Sequence, residues 1–216
     1  MEDTSIHQKC RKELVASLRA KGITNNRILT ALSKIPRHYF IPERFSEHEA
    51  YEDKPLDIGE EQTISQPYTV AYQTDLLDVR EHEKILEVGT GSGYQAAVLW
   101  ELGAHVYTVE RQKKLYIHTK QLFSQLGYTG IKMFHGDGNE GLSNFAPFDK
   151  IIVTAAAKGV PAKLVDQLKI GGSMVIPVNG NIQKMLRVIK TSATETKIQE
   201  FDDFRFVPLL AGVVSS

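Results

Sequence analysis

A chain of 216 residues with a 42% hydrophobic fraction can bury one sizeable core with an appendage, so a single domain over 1–216 is expected. Twenty-six basic side chains balance twenty-six acidic ones, and no dense Lys/Arg cluster offers a nucleic-acid or anionic-membrane surface. One cysteine, Cys10, excludes an internal disulfide framework, and no run approaches the ~20 apolar residues of a membrane span or resembles a secretory leader, so a soluble cytoplasmic protein is expected.

Ile6, Cys10, Leu14 and Leu18 recur every four residues, which predicts a helix closed by Gly22. Thr24 or Asn25 can cap a second helix carrying Ile28, Leu29 and Leu32, ended by Pro36. From Pro36 to Pro67 the chain is rich in prolines, aromatics and charges without a sustained period. Loops this long inside compact domains are uncommon unless they serve as a lid or binding surface. Residues 1–66 therefore read as N-terminal helices plus an active-site loop segment, and 67–216 as the sheet core. Val70, Ala71, Thr74 and Leu77 suit a third helix starting near Ser65 and Pro67. Ser65 has two compatible readings, as its N-cap or as a hydroxyl that holds an anion beside free N–H groups.

Lys84 to Leu99, KILEVGTGSGYQAAVL, organises the rest. Ile85, Leu86 and Val88 suit a strand buried on both faces, and Tyr94 to Leu102 a helix whose free N–H groups face a glycine turn. A dinucleotide site requires Gly-x-Gly-x-x-Gly. Here Gly89, Gly91 and Gly93 fall at every second position, with Glu87 two residues ahead of the first. That arrangement resembles the first motif of S-adenosylmethionine-dependent methyltransferases, which makes Glu87, Gly89, Thr90, Gly91, Ser92 and Gly93 candidate cofactor-binding residues. The bland alternative is an ordinary tight strand-to-helix turn.

His105 to Val109 is a second strand ending on Glu110, where doubly wound folds place the acid that accepts ribose hydroxyls. The alternative is a solvated acid opening the Arg111 to Leu126 helix, with Leu115, His118, Leu122 and Phe123 on its apolar face. Ile131 to His135 leads into Gly136-Asp137-Gly138, a turn signal and also a position where Asp137 can accept an adenine amino group beside the Gly138 N–H. Phe148 to Thr154 is a fourth strand; Ala155 to Ala157 leaves room above the sheet; a helix runs from Pro161 to Gly171-Gly172. Ser173 to Val178, then Met185 to Lys190 and Ile198 to Val207 around a polar turn, complete the strands. The fold expected is a three-layer α/β Rossmann-like one, with a mostly parallel doubly wound sheet, a C-terminal antiparallel pair and an N-terminal helical appendage. The seven histidines show no metal-ligand spacing, and no metal is expected.

These residues resemble the protein-L-isoaspartate O-methyltransferase family. The likeness is carried by Pro36-Arg37, Phe40-Ile41-Pro42, Ala50-Tyr51, Pro55-Leu56, Ile58-Gly59, Gln62-Thr63-Ile64-Ser65 and Leu86 to Tyr94. It continues through Gly136-Asp137-Gly138, Phe148-Asp149, Ala155 to Ala157, Gly171-Gly172 and Arg205-Phe206-Val207-Pro208-Leu209. The resemblance implies S-adenosylmethionine as cofactor, S-adenosylhomocysteine as product, and isoaspartyl peptides and proteins as substrates. It implies Ser65 as catalytic residue, Glu110 as ribose ligand and Asp137 with Gly138 as adenine ligands. Thr63, Ile64, Ser65, Val207 and Pro208 would meet the substrate, and a monomer is favoured. Pro177-Val178-Asn179-Gly180 departs from the family's Pro-Val-Gly by the added Asn179, so the family's pattern does not carry over to that loop or to Gln183 beyond it. A small-molecule or RNA methyltransferase would keep Glu110 and Asp137 but lack the QTIS and FVPL stretches.

The chemistry is consistent with that resemblance. Methyl transfer from a sulfonium to an ionised carboxylate needs no strong general base, so positioning is the main task. The neighbours of Ser65 give no ground for a nucleophile elbow or a Ser/His/Asp triad.

Overall fold

Thr4 starts the first helix, α1 (Ser5–Ala20): its hydroxyl accepts from the His7 amide while the His7 ring returns to the Thr4 amide. The computed structural model describes residues 2–178 and 183–215, so the Asn179 departure lies outside the described residues. The buried face of α1 begins at Cys10 and continues through Leu14 and Leu18. Ile6, expected on that stripe, is 44% exposed because it lies one turn before the buried face starts. Asn25 caps α2 (Asn26–Lys34) by accepting from the Arg27 amide.

The segment predicted as loop contains a small hairpin, β1 (Leu56–Gly59) and β2 (Gln62–Ile64). Its turn residues Glu60 and Glu61 have φ of 51° and 57°, a geometry that Asn-Gly normally signals, so two glutamates concealed it in the sequence. Arg37 ties this segment together. Its fully buried guanidinium donates to the carbonyls of Ala50, Lys54 and Ser65.

After α3 (Pro67–Leu77), the chain alternates β3 (Lys84–Val88), α4 (Tyr94–Glu101), β4 (His105–Glu110), α5 (Lys113–Leu126), β5 (Lys132–His135), β6 (Phe148–Val153) and α6 (Ala162–Asp166). It ends with β7 (Leu168–Val178), β8 (Gln183–Lys190) and β9 (Thr196–Phe204). The seven strands lie in the order β5-β4-β3-β6-β7-β8-β9. The first five are parallel, and β8 runs antiparallel to both of its neighbours.

Strand side chains alternate between two cores. Ile85, Val106, Ile152 and Val175 pack with α1 to α5, whereas Leu86, Val88, Val109, Ile151 and Ile176 pack with Leu164 of α6. Helices thus cover both faces of the sheet, as expected of a three-layer fold.

Three expectations need correction. The helix after Pro161 stops at Asp166, and Gly171-Gly172 lies inside β7, because Leu168 already pairs with Phe148. At the register shift that follows, a Cβ on Gly172 would sit 2.8 Å from the Asp149 carbonyl, so glycine there serves strand packing. On α5 it is Thr119 that turns inward, while His118 is exposed. Finally, the chain past β9 crosses back over the alanine run: Ala156 donates to Val207 and accepts from Leu209, so backbone covers Ala156 and of the three only Ala155 borders the pocket.

Replacing Arg37 with Met should cost about 2–4 kcal/mol in urea denaturation, since buried carbonyls lose a charged donor.

Candidate active site

The glycine loop sits where β3 ends, wedged between β6 and α5. Gly89 has φ +96°, and a Cβ there would meet Thr154 Oγ1 at 2.5 Å, the hydroxyl that donates to the Gly89 and Val88 carbonyls. Gly93 has φ +90°, and its Cβ would lie 2.5 Å from the Phe123 ring. Both positions exclude side chains for backbone and packing reasons alike. Gly93 therefore supports α5 and does not line the pocket, contrary to its expected cofactor contact.

The pocket above this loop is lined by Gly89, Thr90, Gly91, Ser92, Glu110 and Gly138 among the expected cofactor residues, and by Thr63, Ile64, Ser65, Val207 and Pro208 among the expected substrate residues. Glu110 is buried at the end of β4, where Oε2 accepts from the Gly91 amide and Oε1 from the Gln112 amide, each at 2.8 Å. Burial pushes its carboxyl above the usual range despite these amides.

Glu87, expected beside the cofactor, lies beneath the loop. It shares the sheet face of Ile85, beneath α4, and does not line the pocket. Its Oε2 is hydrogen-bonded to Thr108 Oγ1, and its Oε1 has no partner among the described residues. Burial pushes this carboxyl up to about 8. Asp137 is likewise not among the residues that line the pocket. Its carboxylate accepts from the Gly212 and Asn139 amides. Burial acts to raise its pKa, but those hydrogen bonds outweigh burial and hold the carboxyl below its ordinary value. Only Gly138 of that pair reaches the pocket.

Ser65 is not the cap of α3. Gln66 precedes the helix without a side-chain cap bond, Pro67 occupies its first position, and Asp53 supplies the acceptor, with Oδ1 2.7 Å from the Tyr68 amide. The Ser65 hydroxyl consequently has no hydrogen bond among the described residues. Ser65, Thr63, Thr154 and Val207 line both the loop pocket and a groove of about 680 Å³, walled by Tyr68 and the Asp202 to Phe206 stretch. The two cavities meet at Ser65.

Thr154 and Gln95 are among the lining residues that sequence reasoning missed. Thr154 follows β6, and Gln95 projects from α4 with a buried Oε1 that has no partner among the described residues. A glutamine directly after the glycine loop, in an otherwise apolar QAAVL run, was the available signal for the second. The fold also assembles Asp3, His7 and His38, three groups of metal-ligand chemistry that linear spacing concealed. The two imidazoles stack at 3.6 Å with ring planes 4° apart, and Asp3 pairs with Arg11.

A mostly parallel sheet bearing a glycine loop at the end of β3 and an acid at the end of β4 has the architecture of the S-adenosylmethionine-dependent methyltransferases. Residues 8–213 match the model of the protein-L-isoaspartate(D-aspartate) O-methyltransferase family. The chain belongs to that family. Proteins named protein-L-isoaspartate O-methyltransferase from Flavobacterium psychrophilum and Christiangramia forsetii are 54% and 53% identical over 210 residues, which cover 97% of this chain and 98% of each relative. A solved structure of that name superposes with a TM-score of 0.86 at 29% identity, over 94% of this chain and 67% of the other. A Plasmodium falciparum structure in complex with S-adenosyl-L-homocysteine shares the fold, with a TM-score of 0.82 at 24% identity over 93% of this chain and 98% of its own.

The raised pKa of Glu87 has a consequence for stability. A carboxyl that is protonated in the fold and ionised when unfolded contributes stability below the unfolded value near 4.5, and that contribution is lost as pH rises toward about 8. In thermal melts, Glu87→Gln should therefore match wild type near pH 4.5 and gain on it up to about pH 8, with a constant lead above.

Proposed function

We propose that the chain transfers the methyl group of S-adenosylmethionine to the free carboxylate of isoaspartyl residues in damaged peptides and proteins, opening their repair. Family membership supports the reaction. The observation that carries the reading in this chain is the Ser65 hydroxyl, without a partner among the described residues, on the border shared by the loop pocket and the neighbouring groove.

The pocket's chemistry suits the cofactor. Gly89 and Gly91 let the backbone approach a ligand closely, Glu110 offers a carboxylate to hydroxyl groups, and the Gln95 oxygen awaits a donor. In this reading Gly89 to Ser92, Gln95, Glu110 and Gly138 hold the cofactor. When bound, S-adenosylmethionine supplies an electrophilic methyl carbon on a positively charged sulfur.

Ser65 donates a hydrogen bond to the substrate carboxylate and fixes which oxygen faces the methyl carbon. Thr63 and Val207 hold the flanking peptide. One O–C bond forms as one C–S bond breaks, the electron pair stays on sulfur, and no proton changes hands because the carboxylate is already ionised. Val207 to Leu210, pinned to Ala156, forms a wall that excludes water. Residues 1–66 and 67–216 act as one domain in this proposal, with the Arg27 guanidinium of the first segment donating to the Val79 and Leu102 carbonyls of the second. A cytoplasmic location goes with it, supported by the single cysteine. No helix among the described residues is long and apolar enough to cross a membrane.

Radiolabelled S-adenosylmethionine with paired aspartyl and isoaspartyl peptides tests the assignment. Only the isoaspartyl peptide should be labelled, because isomerisation moves the carboxylate and lengthens the backbone by one methylene. Equal labelling of both, or of neither, would reject it. Ser65→Ala should lower turnover and leave cofactor affinity nearly unchanged, as expected of an interaction made with the reacting carboxylate. In calorimetric titration, Glu110→Ala should weaken cofactor binding by about 1–3 kcal/mol, the range for polar groups left unpaired.

A further inference from the structure

Glu87 is the carboxyl to which the catalytic reading gives no work. Its neighbours across the sheet are Thr108 on β4 and Ile152 on β6, and all three are fully buried. From α4 the Ala96 amide lies toward it, and Glu110 on β4 is the one titratable side chain among the described residues that acts on it.

A line of hydroxyls joins it to the pocket. Thr108 Oγ1 is 2.5 Å from Glu87 Oε2 and 2.6 Å from Thr90 Oγ1, and Thr90 lines the pocket. Each hydroxyl carries one proton, so this line has two self-consistent directions. With Glu87 protonated, it donates to Thr108, Thr108 donates to Thr90, and the Thr90 proton is left for the pocket. With Glu87 ionised, Thr90 donates to Thr108, Thr108 donates to Glu87, and Thr90 offers the pocket only lone pairs.

We propose that Glu87 is a positioning residue for the cofactor: the charge held in the pocket sets its protonation, and Thr108 relays that state to the Thr90 hydroxyl. The inference rests on the reading that the pocket takes S-adenosylmethionine. That molecule carries one more positive charge than S-adenosylhomocysteine, and a cation held in the pocket, from which Thr90 leads through two hydrogen bonds to a buried, half-partnered carboxyl, favours that carboxyl's ionised form. Glu87 therefore gives up a proton to solvent when the cationic cofactor binds, and takes one back once methyl transfer leaves a neutral thioether. Thr90 then presents lone pairs to the cofactor and a donor to the product, which weights binding toward the methylated form.

The direction of the pH effect follows. A carboxyl protonated up to about pH 8 in the free chain is ionised at lower pH when the cation is bound. Affinity for S-adenosylmethionine thus rises with pH below about 8 and levels off above it, by about tenfold for each unit the bound pKa is lowered.

The test is calorimetric titration of wild type and Glu87→Gln with S-adenosylmethionine and S-adenosylhomocysteine, in two buffers of different ionisation enthalpy, across about pH 6.5 to 9. Subtracting the variant removes the titration of the ligand's own amino group and of Glu110. Wild type should release a larger fraction of a proton with S-adenosylmethionine than with the product, and the variant should show no such excess. Equal release by both proteins, or for both ligands, overturns the proposal while leaving the methyltransferase reading intact. A wild type that binds neither ligand overturns both.

Infrared difference spectra of wild type cover the case in which Glu87→Gln does not fold. The carbonyl band of a protonated carboxyl should disappear on adding S-adenosylmethionine and persist with S-adenosylhomocysteine; persistence with both rejects the relay. Thr108→Val, which keeps the shape and removes the relaying hydroxyl, should reduce the affinity preference for S-adenosylmethionine over the product. An unchanged preference also rejects it.

Discussion

The tight passage of backbone from β3 to α4 is the constraint on which the rest of the site depends. Gly89 passes against Thr154 and Gly93 against Phe123 with no room for a Cβ, and both have φ near +90°. A side chain at either position would meet a clash and an unfavourable backbone conformation together. Because the loop touches the end of β6 on one side and α5 on the other, its shape is fixed by the sheet and helix positions. Glu110 then fixes Gly91 from β4, and Thr119 donates to the Gly91 carbonyl from α5. The loop is gripped by every element around it, the preorganisation that a positioning enzyme needs.

Stability is given up around this point. Glu87 Oε1, Gln95 Oε1 and Gln73 Oε1 are buried without partners among the described residues, all close to the β3, α3 and α4 junction. Each such atom costs about 1–3 kcal/mol in a folded protein, and their concentration here fits a site that keeps polar capacity in reserve. Elsewhere the Nε atoms of Arg37 and Arg187 also lack partners among the described residues, whereas two buried lysines are satisfied. Lys150 reaches the carbonyls of Leu77 and Asp78, and Lys190 those of Asp166 and Leu168.

The substrate side is built from the chain's two ends. Arg37 gathers the Ala50, Lys54 and Ser65 carbonyls, while Val207 and Leu209 pair with Ala156 across the top of the sheet. Neither stretch has a regular period; the first is held by the Arg37 side chain and the second by backbone hydrogen bonds to Ala156. They converge so that Thr63, Ser65, Thr154 and Val207 border both cavities. Asp53 makes this possible by capping α3 from outside, which releases the Ser65 hydroxyl from the helix end.

The strand–glycine–helix unit, the acid at the end of β4, the alternation of strands and helices and the final antiparallel pair were legible in the sequence, because each rests on local periodicity or on glycine's unique backbone range. The Glu60-Glu61 turn was not, since neighbours forced a conformation that glutamate does not advertise. Gly171-Gly172 was read as a helix end because the pull of β6 on Leu168 cannot be seen along the chain. Glu87 and Asp137 show the same limit at the site. Sequence placed both beside the glycine loop and its companion turn, but strand alternation turns Glu87 beneath α4, and the Gly212 amide claims Asp137. Residue type and spacing determined which chemistry the chain carries and where along the sheet it lies. Which carboxylates face the pocket was decided only by tertiary contacts from residues up to 75 positions away, whose hydrogen bonds have no signature in local sequence.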